Sequence, residues 1–265
     1  MRSALSKVPA VTLTFWVIKI LATTLGETAG DTVTMTWNMG YLAGTAIFVG
    51  ALAALVLLQI RADKFHPALY WATIIASTTA GTTLADYATR SLGIGYVGGS
   101  TLLLLLVLAS LGVWHASERS INVDTVSTPK VEIYYWTTIT FSQTLGTALG
   151  DWMAASADDP AATTGSLGLG YAGGALVFGA ALAVIAALYF WTKASRVLLF
   201  WAAFILTRPL GATVGDFLDK PLDHGGLNLS RPIASAVLIM LIVGAIMFFP
   251  QRAGEHRPSA PAAAS

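Results

Sequence analysis

Four aspartates recur at one fixed distance behind a tryptophan and a glycine, and they are the residues of this chain whose type and spacing best suit chemistry. The frame is W-x9-G-x4-D, read at Trp16/Gly26/Asp31, Trp71/Gly81/Asp86, Trp136/Gly146/Asp151 and Trp201/Gly211/Asp216. On a helix, positions four apart stack on one face. Counting back from the aspartates gives Lys19–Thr23–Glu27–Asp31, Ile74–Thr78–Thr82–Asp86, Ile139–Gln143–Thr147–Asp151 and Phe204–Arg208–Ala212–Asp216. Around a common axis these faces become layers: the aspartates; then Glu27/Thr82/Thr147/Ala212; then Thr23/Thr78/Gln143/Arg208; then an apolar layer broken only by Lys19. Carboxylates, threonine hydroxyls and an amide are hard oxygen ligands, suited to magnesium, calcium or manganese.

The elements that must position these residues are membrane helices. Hydrophobic residues make up 55% of the chain and charged ones 11%, with a mean hydropathy of +0.68. A soluble domain carries about 25% charged residues, so water is not the main solvent here. A spanning helix needs about 20 mainly apolar residues. Eight segments qualify, near 10–33, 41–60, 67–89, 94–115, 131–154, 170–191, 196–218 and 231–249. The fold class is therefore all-α, a polytopic membrane protein of eight helices in four tandem helix-pair repeats. The repeats run 7–62, 63–118, 127–194 and 195–253 in one domain over 1–253, and 254–265 reads as a disordered cytoplasmic tail. Helix 1 reads as retained, since no small-residue cleavage site follows it.

Arg2, Lys7, Arg61, Lys64, Arg119, Lys130, Lys193, Arg196, Arg252 and Arg257 fall on one side of these spans, against Arg90, Lys220 and Arg231 on the other. That bias places both termini in the cytoplasm, with the inner membrane as the location and the aspartates toward the far side. Each repeat holds two spans, so all four insert the same way up.

The two helices of a repeat differ in kind. The second ones are apolar, as in Leu102–Val113, while the first carry nearly all the polarity. Polar groups in a bilayer face protein or a wet cavity, so helices 1, 3, 5 and 7 are expected inside and the others as a lipid-facing jacket. The pairs Gly26/Gly30, Gly146/Gly150 and Gly211/Gly215, and Gly40/Gly44, Gly95/Gly99 and Gly170/Gly174, read as close helix packing. The frame tryptophans read as interfacial anchors, and the threonines either bond back to their own helices or line the core. Asp86 has Arg90 four residues on and Asp216 has Lys220, whereas Asp31 and Asp151 have no such partner. Arg208 sits in the layer next to Glu27 and could neutralise it across the bundle. Lys19 has no acid in its layer and should be neutral, or matched to a substrate or a proton step.

Several classes drop out. A net charge of +1 with no basic run excludes nucleic acid, and the absence of cysteine removes thiolate metal sites and thiol catalysis. His66, His115, His224 and His256 have no ligand spacing, and Met35, Met39 and Met153 near the aspartates read as packing. There is no nucleophile–base pair, phosphate loop or cofactor motif, so an enzyme is not expected.

With these residues in view, VPAVTLTFWVIKILATTLGETAGD and its paired-helix repeats resemble the bacterial uncharacterised membrane-anchored proteins built of four tandem repeats of unknown function. The likeness spans about 7–253 and implies eight spans without an activity. Glu27-Thr28-Ala29-Gly30-Asp31 also resembles the Glu-x-Gly-Asp motif of manganese/calcium exporters, with one residue more and no basic residue after it.

The expected function is a small inner-membrane transporter exporting a divalent cation of the manganese type. Glu27, Asp31 and Asp151 would ligate the metal, with Thr23, Thr28, Gln143, Thr147, Asp86, Asp216, Lys19 and Arg208 completing the site. The alternatives are a proton-coupled carrier of a small organic or anionic solute held by Arg208 and Lys19, and a non-transporting scaffold whose buried charges fix helix register. A bound divalent cation is the only cofactor in view. The expected partners are the lipid bilayer and a small ion or solute, with a homo-oligomer compatible.

Overall fold

The computed structural model describes residues 5–156, 158–162 and 165–255. Eight long helices appear among them, α1 (Leu13–Asp31), α2 (Gly40–Arg61), α3 (Pro67–Asp86), α4 (Gly95–Glu118), α5 (Pro129–Ala154), α6 (Gly170–Trp191), α7 (Arg196–Asp219) and α8 (Arg231–Phe248). Their starts follow local chemistry. Thr12, Thr128 and Ser195 each accept an amide with their hydroxyl at the head of α1, α5 and α7, and Pro67 and Pro129 occupy first-turn positions where a missing N–H costs nothing. α1 and α3 run on past their aspartates through one wider π turn, Thr32–Thr36 and Tyr87–Ser91.

Among the described residues, α2, α4, α6, α7 and α8 are long and apolar enough to cross a membrane. Their burial separates two populations: the apolar stretch of α7 is 56% buried, while those of the other four are 11–22% buried. α1, α3 and α5 are too polar for that test and are buried instead, including their charged residues Lys19, Glu27, Asp31, Asp86 and Asp151. The even-numbered helices thus form the lipid jacket. The odd-numbered ones close a square in which α1 packs on α3, α3 on α5, α5 on α7 and α7 on α1.

The jacket is assembled mainly between repeats. α2 packs chiefly on α3, α4 on α5 and α6 on α7, and α8 closes the circle on α1. Every outer helix therefore covers the inner helix of the next repeat. The connection that allows this turns at Gly40, Gly95 and Gly170, with φ of +75°, +72° and +67°, a region that favours glycine. Their partners in the G-x-x-x-G pairs do the packing instead: Gly44, Gly99 and Gly174 face the methyls of Thr34, Thr89 and Thr213.

The same rotation recurs in the square. The frame glycines Gly26, Gly81, Gly146 and Gly211 abut Thr78, Gln143, Arg208 and Thr23 of the following inner helix. A methyl on Gly81 would lie 2.8 Å from the Gln143 backbone, so these helices touch main chain to main chain.

Two short strands, β1 (Leu5–Pro9) and β2 (Ala253–Glu255), pair antiparallel and bring the two ends of the described chain together. Gly254 and Glu255 thus belong to the folded part, contrary to a tail beginning at 254. The rest of that segment lies outside the described residues, as do Arg2, Arg257 and His256 of the sequence reading.

Candidate functional site

Arg208 is the centre of the polar core. It stands on α7 one residue before Pro209, and its aliphatic stem lies against Gly146 of α5, where any side chain would collide with it. The guanidinium is fully buried. Its Nη2 donates to Glu27 Oε2 on α1 at 3.0 Å, to Thr82 Oγ1 on α3 at 2.6 Å and to Thr147 Oγ1 on α5. One nitrogen thus ties α7 to each of the other inner helices. The remaining nitrogens, Nε and Nη1, are buried without a hydrogen-bond partner. So is Nε2 of Gln143, whose Oε1 lies 3.5 Å from the Lys19 ammonium. Lys19 is also fully buried, has its ammonium 4.1 Å from the centre of the Phe204 ring, and forms no ion pair among the described residues.

One turn further, the aspartates sit in two clusters bound by cations that bridge repeats. Lys220 reaches Asp216 on its own helix at 3.0 Å and Asp31 of the first repeat at 2.6 Å. Arg231 adds contacts to Asp31 at 3.8 Å and to Asp219 at 3.3 Å. On the other side, Arg90 holds Asp86 at 3.2 Å, Asp151 of the third repeat at 3.9 Å and Asp159 of the following loop at 3.3 Å, and Tyr96 donates to the same Asp159 carboxylate. The two arrangements are reciprocal. A cation from the first half of the chain grips acids of the second, and a cation from the second half grips an acid of the first. Six acids (Asp31, Asp86, Asp151, Asp159, Asp216, Asp219) share three cations (Arg90, Lys220, Arg231) at this end. A pocket of about 280 Å³ lined by Tyr41, Thr89, Arg90, Asp159 and Ala161 opens onto it.

The opposite end is closed by aromatic rings. Each frame tryptophan follows another aromatic residue, giving Phe15-Trp16, Tyr70-Trp71, Tyr135-Trp136 and Phe200-Trp201. These pack edge to face and tilted across the square, with Trp114 wedged beside Tyr135 and Trp201. The hydroxyls of Tyr70 and Tyr135 meet at 2.6 Å. Trp71, Trp136 and Trp201 are buried, with Trp201 donating to the Ile121 carbonyl and Trp71 to Gln251. They form a floor, not interfacial anchors; only Trp16 keeps a partly exposed face. Behind the floor the Lys7 ammonium of β1 bonds to Glu132 of α5 and to the carbonyls of Gln59 and Ile60.

Against the sequence expectation, the three proposed metal ligands do not converge. Glu27 and Asp31 approach Asp216, each offering an oxygen within 4.8 Å of the others, whereas Asp151 belongs to the Arg90 cluster. Nor do Asp31 and Asp151 lack cations; their partners come from other repeats, where helical spacing cannot point. Thr147 and Gln143 lie in the core as expected. Thr23 and Thr28 do not contribute free hydroxyls: Thr23 bonds to the Ile20 and Thr207 carbonyls, and Thr28 bonds to Leu25 and accepts from Ser235 of α8. Asp86 and Asp216 keep their i+4 partners, and Arg208 neutralises Glu27 across the bundle. Arg231, Asp219, Tyr96 and Asp159 are parts of the network that sequence reasoning missed, and Thr82, though placed in the Glu27 layer, was not counted in the site. Thr82 was legible as the second-layer equivalent of Glu27.

Fold and site together define a class: a membrane protein of four pseudo-equivalent helix pairs around a buried, charged core. The chain belongs to the family described as Repeat of Unknown Function (DUF347), whose repeat matches residues 14–65, 69–120, 134–195 and 199–252. No curated protein and no solved structure matches it.

Proposed function

We propose that this protein is a small carrier of the bacterial inner membrane, with both termini cytoplasmic, which moves a small anionic solute through the square of inner helices, coupled to protons. The observation that supports a carrier is the double closure. Reciprocal ion pairs join the halves of the chain at the aspartate end, an aromatic floor blocks the tryptophan end, and a charged core lies between them. Charges at such depth each cost at least about 2.5–3.5 kcal/mol on insertion scales, which argues for a use beyond fixing helix register.

The geometry favours an anion over manganese-type export. Export required carboxylates with charge to spare, and Arg208, Lys220, Arg231 and Arg90 already take that charge up. Divalent export stands as the second reading on one observation, the approach of Glu27, Asp31 and Asp216, which would hold one ion if Lys220 withdrew. The test is flux into proteoliposomes under an imposed pH gradient, with labelled pyruvate and Mn²⁺ as alternative solutes. Pyruvate uptake above protein-free vesicles supports the first reading. Mn²⁺ flux that Asp31→Asn abolishes supports the second. A protein that moves neither, in either gradient direction, is not this carrier.

A further inference from the structure

We propose that Arg208, Gln143 and Lys19 form the binding site for one small monovalent carboxylate, an assignment that rests on the carrier reading and names its solute. The starting observation is a surplus of donors. Arg208 Nε and Nη1 and Gln143 Nε2 are buried with nothing to bond to, on side chains that are fully buried. Nearly all such groups in folded proteins find a partner, and an unmet one costs the full desolvation of that group. The surplus is directional. Three of these atoms are N–H donors, and the hydroxyl of Thr78 in the same layer is also unpartnered. A ligand rich in acceptors answers Arg208 Nη1 and Gln143 Nε2 together.

Charge fixes its valence. Below the aspartates the core holds Glu27, Arg208 and Lys19; the first two neutralise each other at 3.0 Å, and the Lys19 ammonium has no acid partner among the described residues. One negative charge restores neutrality there, and a second would be left uncompensated in a low-dielectric interior.

Shape fixes the rest. A carboxylate offers two oxygens and about four lone pairs in a plane, enough to accept from Arg208 Nη1, from the Gln143 amide and from the Lys19 ammonium, while Arg208 Nε–H points to the opposite edge of the guanidinium. The Lys19 layer is completed by Ile74, Ile139 and Phe204, all fully buried, so the wall facing the solute's far end is apolar. The site therefore takes a head of two acceptor oxygens and a short apolar or carbonyl-bearing substituent.

The experiment is calorimetric titration and thermal denaturation of the purified protein in nanodiscs, with pyruvate, acetate, chloride and Mn²⁺ as separate probes. Pyruvate and acetate should bind and raise the melting temperature. Lys19→Met and Gln143→Leu, which leave Glu27–Arg208 intact, should each weaken pyruvate at least tenfold. Should Arg208→Met fail to fold because Glu27 loses its partner, the double variant Glu27→Gln/Arg208→Met supplies a neutral core that should fold and bind no pyruvate. Equal affinity of parent and both single variants overturns the site. Chloride binding as tightly as the carboxylates, or alone, overturns the carboxylate class. Carboxylate binding without flux in proteoliposomes removes the carrier reading and leaves the site; Mn²⁺ flux with no anion binding removes both the site and the anion carrier and leaves divalent export.

Discussion

The pair Glu27–Arg208 lends itself to a double-mutant cycle whose outcome follows from its geometry. Both side chains are at most 3% exposed and their charged atoms are 3.0 Å apart. Removing one partner of a buried pair leaves the other charge stranded, which costs about 3–5 kcal/mol, whereas replacing both with apolar or neutral groups of similar volume is often neutral or stabilising. Arg208→Met strands Glu27 within reach of Asp31 and Asp216, and Glu27→Gln strands the guanidinium with only the Thr82 and Thr147 hydroxyls. Each single variant should therefore lose about 3–5 kcal/mol and the double variant no more than about 1, a coupling energy of at least ~5 kcal/mol. At 2–4 °C per kcal/mol for a chain of this size, each single variant should melt roughly 10 °C low and the double variant near the parent. Denaturation of the detergent-solubilised protein, followed by circular dichroism and by SDS titration, measures all four corners. If Arg208→Met alone costs under about 1 kcal/mol, the pair behaves as a solvated surface bridge and the buried core described here is wrong.

Other outcomes follow from the same contacts. Lys220→Met, which removes the one ammonium shared by Asp31 and Asp216, should destabilise more than Arg90→Gln, whose guanidinium is 28% exposed and can be replaced by water; parallel SDS titrations rank them. Gly211→Ala should cost about 1–3 kcal/mol because the added methyl lies 2.8 Å from the Thr23 backbone, while Gly50→Ala, with open space around it, should be neutral or slightly stabilising; thermal melts separate the two. Tyr70→Phe should cost about 1–3 kcal/mol by leaving the Tyr135 hydroxyl alone in the floor, and Tyr70→Phe with Tyr135→Phe should recover most of that loss, as read by the same melts.

The sequence carried much of this architecture because its signals are local. Helix limits agree with the hydropathy segments to within a few residues, and the inner and outer sets follow from which helices hold Lys19, Glu27 and the aspartates. The i+4 partners Arg90 and Lys220 were legible for the same reason, since helical spacing is a property of one segment. What escaped the reading lies between segments. Spacing assigns Lys220 to Asp216 but cannot show that its ammonium also reaches Asp31, 189 positions away. Hydropathy marks α2 as a lipid-facing span but not that it lies on α3. Single tryptophans near a boundary usually sit at the interface, which is the placement the frame alone suggests. The aromatic residue preceding each of them was the signal that the rings stack on one another.

The displaced jacket makes the chain behave like four links, each clasped by its neighbour. Each outer helix lies chiefly on the next repeat, so one repeat excised by itself would expose both its polar face and the apolar flank meant for its predecessor. During insertion, α3, α5 and α7 each receive the outer helix of the preceding repeat, already made. Of the eight helices α1 is made first and covered last, because its jacket is α8. Its ladder, Lys19 and Glu27 included, must therefore persist without that cover until α8 has been made. The β1–β2 pairing then places the ends of the circle side by side. A permuted chain that joins those ends and opens between the second and third repeats, near residue 120, would shift the wait from α1 to α5 while leaving every contact of the finished ring in place.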